Sequence, residues 1–399
     1  MNNSPDAHRD RQSALTSERL LNDTLAIPES VRASFDSLVE VADRALSAVD
    51  VRGIDSILLG GSGDLYHSAL STEFAFERLI GVRTAAVPSM SLGLYRARSL
   101  TSRAVVIQLS FSGKTTRAVE AASLARLAGA RVWALTNDAT SPLARIGELC
   151  FVKPETGGNE AAGYPITMLL LYLIAIKVAE LRSRLSRAEA SALRNQLAGA
   201  AGDMQQTLDQ CMTQARELAK RFIGVNHVLF LSSGPTFGSA VNGSARILEA
   251  VGVNSAAQDI EEWAHLNRWV EETTSPCLII APGGPSRERA AEILDAMAAL
   301  GKPSVAIAPD HDIDFGTRAT AWLPVHCSLA EEFSPLVYNL PGELFAHLLG
   351  VASNANPYRN NVDAYHRLGE IRWGGFIRTT LPEVGIGGHP VQAESDPAI

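Results

Sequence analysis

Two segments of the chain repeat one pattern in different residues. "ILLGGSGDLYHSAL" occupies 57–70 and "VLFLSSGPTFGSAV" occupies 228–241. Each is a continuous apolar run, a Gly/Ser turn and a helix-compatible segment. A strand that is apolar at every residue, not at alternate ones, is covered on both faces. That is the mark of a parallel sheet between layers of helices. Each opening is followed later by a second strand, Gly/Ser loop and helix: "QLSFSGKTTRAVEAA" in the first half and "APGGPSRERAAEIL" in the second. The chain therefore reads as a duplicated α/β unit, with ligands expected beyond the carboxyl ends of the strands.

Strands are expected at 56–60, 84–87, 104–109, 131–135 and 149–152, then at 227–231, 277–281, 304–308 and 321–324. Helices are expected at 27–50, 65–79, 115–128, 142–146, 238–251, 287–300 and 335–351. Residues 163–220 read as a long helical bridge region rich in Ala, Leu, Arg and Glu. The expected organisation is an N-terminal helical segment (1–50), a first domain (51–185), linking helices (186–220), a second domain (221–350) and a tail (351–399). Residues 1–26 are polar and read as irregular, and 352–399, poor in helical periodicity, read as an ordered tail with a loose end.

Composition narrows the class. The chain has 399 residues, of which 46% are hydrophobic, with a formal net charge of −8. A mildly acidic chain has no footprint for nucleic acid or for an anionic membrane. Cys150, Cys211, Cys277 and Cys327 are scattered, with no C-x-x-C pair. They fit buried thiols of a reducing cytoplasm better than disulfides or zinc ligands, so no metal or cofactor is expected. The apolar stretch 166–179 contains Thr167 and Lys177 and is too short to span a bilayer, so it reads as a buried helix.

The fragment Gly113-Lys114-Thr115 imitates the end of a nucleotide-binding P-loop. The pattern G-x-x-x-x-G-K-[ST] would put its first glycine at position 108, which is Gln108. What remains is Ser110, Ser112, Gly113, Thr115 and Thr116 between an apolar strand and an Ala-rich helix. Small hydroxyls, one glycine and a helix N-terminus suit a single phosphate. They equally suit a helix cap with no ligand.

Taken in order, several segments resemble the sugar isomerase (SIS) domain family in its double-domain form. They are "LGGSGDLYHSALSTEFAFERLIG", "SFSGKTTRA", "ALTNDATSPLARIGELCF" and "SPLVYNLPGELFAHLLG". The resemblance runs from about residue 50 to 365 and points to the isomerase half of glucosamine-6-phosphate synthase and to phosphosugar deglycases. It implies two tandem SIS domains, each a flavodoxin-like three-layer sandwich with a parallel sheet flanked by helices. It also implies a small-molecule sugar phosphate as ligand, and a homodimer with the active site at the subunit interface.

The resemblance further implies roles. Glu249, in "SARILEAVG", would move a proton between C1 and C2 of the sugar. His265, sixteen positions on in "DIEEWAHLNRW", would open the ring, reaching in from the neighbouring subunit. Gly61, Ser62, Gly63 and Asp64 of the first turn, Ser110, Phe111, Ser112, Gly113 and Thr115 of the loop, and Glu160 would bind the substrate or its phosphate. The chemistry stands without the resemblance. Aldose–ketose interconversion needs a base that takes a proton alpha to a carbonyl and returns it next door. A desolvated carboxylate does this, and His suits the hydroxyl proton. Arg246 lies one turn before Glu249, placed to pair with it or to steady an enediolate. A surface ion pair and a structural histidine are the plain alternatives.

Four departures from the family stand out. Phe111 replaces a Gln, Asp64-Leu65 replaces Thr-Ser, and Arg246 replaces a Lys. The tail "NPYRNNVDAYHRLGEIRW" has no lysine for imine formation. Lys114 is expected to offset Asp64. With no N-terminal Cys nucleophile, glutamine-dependent amination is not expected. Isomerisation and deglycation of a phosphorylated sugar or amino sugar stay open, as do a non-catalytic sensor and an ammonia-dependent aminating enzyme.

Overall fold

The computed structural model describes residues 15–154, 158–271 and 273–381. The first sheet has strands β1 Ser56–Gly61, β2 Arg83–Pro88, β3 Ala104–Leu109, β4 Arg131–Thr136 and β5 Leu149–Val152. The second has β6 His227–Leu231, β7 Asn254–Gln258, β8 Cys277–Ile280, β9 Ser304–Pro309 and β10 Ala321–Val325. The orders are β2-β1-β3-β4-β5 and β7-β6-β8-β9-β10, so the two halves share one topology. Every pairing is parallel. The fold is that of two tandem SIS domains.

Strand β7 is absent from the sequence-based expectation. Its sequence, "NSAAQ", is small and polar because it lies at a sheet edge and is only half-buried. Backbone pairing to β6 makes it a strand, with no apolar signal needed. The central strands behave as expected: all six residues of β3 are buried.

The expected helical bridge consists of two helices, Gly163–Leu181 and Arg187–Arg221. The break carries Ser183 at φ 57°. The second helix then starts on a capping box, with the Ser186 hydroxyl and the Glu189 carboxylate each bonding the other's backbone N–H. Helix Gly163–Leu181 is apolar on all sides, and 83% of its most apolar window is buried inside the protein. All four cysteines are free thiols.

The N-terminal reading needs correction. Ser17–Leu25 is a helix capped by Thr16, and Ile27–Leu46 follows it. Its polar face hid a narrow apolar stripe: Leu20 and Thr24 are buried, and the Thr24 hydroxyl meets His347 Nδ1 at 2.6 Å. Residues 1–14 lie outside the described residues. The tail also has helical turns, at Pro357–Arg359 and Asp363–Leu368. It then crosses the first half, where Arg117 donates to the Phe376 carbonyl at 2.5 Å and Arg378 to Glu120 Oε1 at 3.2 Å. The loose end expected beyond 381 lies outside the described residues.

One apolar core runs through both halves, from Leu15 through Tyr164 and Phe230 to Leu349. The halves meet where helix Asp64–Ile80 crosses helix Phe237–Ala250. Gly238 makes that approach possible: a Cβ there would lie 2.6 Å from the Ser71 backbone nitrogen and 2.8 Å from the His67 carbonyl oxygen.

Candidate active site

The topology places two loops side by side. β1 and β3 are neighbours, with Gly60 opposite Gln108, and the next strand lies on the other side of each. The Gly/Ser turn after β1 and the hydroxyl loop after β3 therefore leave the sheet together, at the switch point where such sheets bind ligands. Gln108, the residue that breaks the P-loop pattern, is fully buried and donates its amide to Ser89 Oγ at 2.9 Å. It fills the space that a side chain on Gly60 would need.

The loop is closed by its own hydroxyls. Ser110 bonds Thr115 Oγ1 at 3.1 Å, and the Lys114 N–H donates to Ser112 Oγ at 3.2 Å. Gly113 takes φ +62°, and a Cβ there would strike Ser141. Among the described residues no side chain caps the N-terminus of helix Thr116–Leu127, so its first N–H groups and the dipole remain directed at the loop. Phe111 packs beside Gly163, and the Lys153 ammonium lies 4.3 Å from its ring centre.

The helix crossing gathers the charged groups. Arg246 is 6% exposed. Its guanidinium bonds Asp64 Oδ2 at 2.6 Å, Asn242 Oδ1 at 3.3 Å, and Glu249 Oε2. Asp64 comes from the first turn of one helix and Arg246 and Glu249 from the far half of the other, so neither half alone makes the cluster. Tyr358, from the tail, donates to Glu249 Oε2 at 3.4 Å.

One guanidinium shared by several carboxyls pulls them apart. Burial raises Asp64, but Arg246 and His67 outweigh it and hold Asp64 below the ordinary carboxylate range. Burial raises Glu249, Arg246 opposes, Asp64 adds to the rise, and the net direction is up. Glu343 is fully buried, and burial pushes it up to about 7, with the nearby Thr24 hydroxyl acting against the rise. On the same helix, burial pushes His347 down to about 3. Burial also brings Lys153, which is 2% exposed, down to about 7.

The expected residues separate into three groups. Asp64, Arg246 and Glu249 come together. Ser110, Phe111, Ser112, Gly113 and Thr115 form one loop, while Gly61, Ser62 and Gly63 form the turn leading into Asp64. A Cβ on Gly61 would lie 2.6 Å from the Tyr66 nitrogen, and Gly63 takes φ +58°. His265 stands apart in the single chain: it is exposed, and its Nε2 lies 3.0 Å from Glu261, which also pairs with Arg289. Glu160 is exposed, and its carbonyl accepts from Gly163 N–H.

Lys114 does not offset Asp64. Its ammonium lies 3.6 Å from Asp138, and the groups that hold Asp64 down are Arg246, His67 and Lys153. The sequence reading missed Lys153, Glu343, His67 and Tyr358. A lone lysine directly after an apolar strand was the only visible signal for Lys153.

Comparison with known proteins agrees with this architecture. Residues 51–177 match the SIS domain family. The glutamine–fructose-6-phosphate aminotransferase (isomerizing) of Rhizobium leguminosarum bv. viciae is 22% identical over 336 residues, covering 82% of this chain and 55% of that protein. The chain thus spans about half the length of the curated relatives it matches. Among solved structures, the C-terminal domain of glucosamine-fructose-6-phosphate aminotransferase from Francisella tularensis superposes with a TM-score of 0.73. It is 15% identical and covers 84% of this chain and 96% of that one. Tagatose-6-phosphate ketose/aldose isomerase from Escherichia coli gives 0.69 at 14% identity, covering 94% and 97%.

Proposed function

We propose that this chain is an enzyme acting on a phosphorylated sugar or amino sugar, with Glu249 carrying a proton between C1 and C2. The observation that carries the reading is the state of Glu249. Its carboxyl is raised by burial yet 31% of its side-chain surface is open. A general base needs both properties: a proton affinity above that of an ordinary carboxylate and access to the carbon that supplies the proton. Arg246 stays charged beside it and is placed to stabilise the negative oxygen of an enediolate. The hydroxyl loop at Ser110–Thr115 would seat the phosphate. The matched SIS region, residues 51–177, contains that loop.

His265 would complete a neighbouring site by crossing between subunits, which accords with its exposure in the single chain. Sedimentation of a fully active monomer would refute that part. The main test is incubation with hexose phosphates, amino-sugar phosphates and ketoamine phosphates in D₂O, following C1/C2 exchange and amine release by NMR. Exchange is expected, and Glu249→Gln should lower it roughly 10²-fold or more. Undiminished exchange in that variant would overturn the mechanism.

Lys153 favours a second reading. A buried amine brought down to about 7 is nucleophilic at neutral pH. It would supply the imine-forming lysine that the tail lacks, and so admit ammonia-dependent amination. Borohydride reduction in the presence of keto-sugar phosphates, followed by mass spectrometry, separates the two: a sugar adduct on Lys153 supports imine chemistry.

A further inference from the structure

One group touching Glu249 belongs to neither repeat. Tyr358 lies in the turn Pro357–Arg359, beyond helix Leu340–Ala352. Its backbone has φ +54° and ψ 11°, and Arg359 follows at φ +53°. Two consecutive left-handed residues, neither of them glycine, form an arrangement that bulky L side chains avoid. Such outliers persist only where the surroundings over-determine them, and they gather at functional sites.

The surroundings here are specific. The Arg359 guanidinium donates to the carbonyls of Val251 and Gly252, each at 3.0 Å, just past the helix that carries Glu249. The Asn360 amide donates to the Leu15 carbonyl at 2.9 Å, and Pro357 is buried. The kink between these anchors turns the phenol inward onto Glu249. Burial and the Glu249 charge both raise the phenol pKa, so the hydroxyl keeps its proton and acts as donor.

Both donors choose the same atom. Arg246 Nη1 and Tyr358 Oη bond Glu249 Oε2. Among the described residues, nothing donates to Oε1, although Glu249 is partly open to solvent. We propose that Tyr358 is a positioning residue for Glu249: with Arg246 it pins Oε2, leaving Oε1 as the oxygen that collects the proton from the sugar carbon. This inference rests on the reading of Glu249 as the base. It also gives the C-terminal segment a task in the chemistry, since the tandem sheets alone leave the carboxylate held from one side only.

Tyr358→Phe tests it, because the substitution keeps the ring and the backbone and removes only the hydroxyl. The first readout needs no substrate: a ¹³C-carboxyl NMR titration of the full chain, with Glu249 assigned by its loss in Glu249→Gln. Losing a hydrogen bond to the charged form should move the Glu249 titration to higher pH. The second readout is exchange kinetics. In Tyr358→Phe, kcat should fall roughly ten- to a hundredfold with KM nearly unchanged, and the acid limb of the pH profile should move up with the titration. Arg359→Ala, which frees the kink, should reproduce both effects while circular dichroism stays unchanged. An unaltered Glu249 titration in Tyr358→Phe would overturn the proposal. If the wild-type chain exchanges no sugar proton, the proton-transfer reading fails, and the titration still judges the Tyr358–Glu249 coupling.

Discussion

Arg246 Nη2 lies 2.6 Å from Asp64 Oδ2, across 182 residues of sequence. This bond fastens the first turn of a helix in one half to the far half of a helix in the other. The same guanidinium holds Glu249, so a contact between the halves and the orientation of the proposed base depend on one side chain.

Arg246→Met should therefore destabilise the whole chain. It leaves Glu249 without its counter-charge and Asp64 with only Lys153 and His67 nearby, and breaking a buried pair from one side costs about 3–5 kcal/mol. Asp64 keeps 24% of its side-chain surface open, which places the loss near the lower end. Asp64→Asn leaves Arg246 with Glu249 and should cost less. Urea unfolding ranks the two, and a wild-type midpoint for Arg246→Met would refute the assignment.

Glu343 and His347 predict a hidden pH balance. In the unfolded chain they titrate near 4.5 and 6.5, whereas burial moves them to about 7 and about 3 in the folded protein. Between pH 4.5 and 6.5, folded Glu343 keeps a proton that the unfolded chain has released, so its contribution to stability falls as pH rises. In the same window the unfolded chain protonates His347 and the folded protein does not, so that contribution rises with pH. The slopes oppose each other. Glu343→Gln should make stability climb with pH across this window, and His347→Gln should make it decline. Parallel wild-type-like profiles in both variants would show that neither group titrates as described.

Two glycines in helices should respond to alanine with opposite signs. Gly202, in helix Arg187–Arg221, has nothing within 4 Å of the place an added methyl would take, so Gly202→Ala should stabilise by up to about 1 kcal/mol. Gly238 lies in the crossing, where the same methyl would meet the Ser71 backbone at 2.6 Å. Gly238→Ala should cost about 1–3 kcal/mol through overpacking. Thermal unfolding of the pair checks this, and a stabilised Gly238→Ala would mean that the halves are not packed so closely.

The hydroxyl loop should bind inorganic phosphate. Phosphate is expected to raise the melting temperature, and Ser110→Ala with Thr115→Ala should remove that rise. Lys114→Ala should leave most of it, because Lys114 is exposed and its ammonium sits by Asp138. Loss of the rise in Lys114→Ala alone would make Lys114 the phosphate ligand instead.

The sequence by itself determined the duplicated sheets, the order of most strands and helices, and the loops that end at their carboxyl edges. These are legible because continuous apolar runs, glycines and hydroxyl clusters act over short spans, where one strand or one turn needs its own residues. The resemblance of its motifs to a known family singled out Glu249, and Arg246 followed because it lies one helical turn before it. The edge strand Asn254–Gln258 escaped because pairing to β6, rather than any side-chain pattern, makes it a strand. Ser17–Leu25 escaped because its apolar stripe acquires meaning only against helix Leu340–Ala352. Only the tertiary structure could decide that Asp64 answers Arg246, that Lys153 is buried beside Phe111, that the Glu343 carboxyl is fully buried, and that a left-handed kink delivers Tyr358. Each of these depends on desolvation and on approach between segments far apart in sequence, and neither quantity is carried by any local stretch of residues.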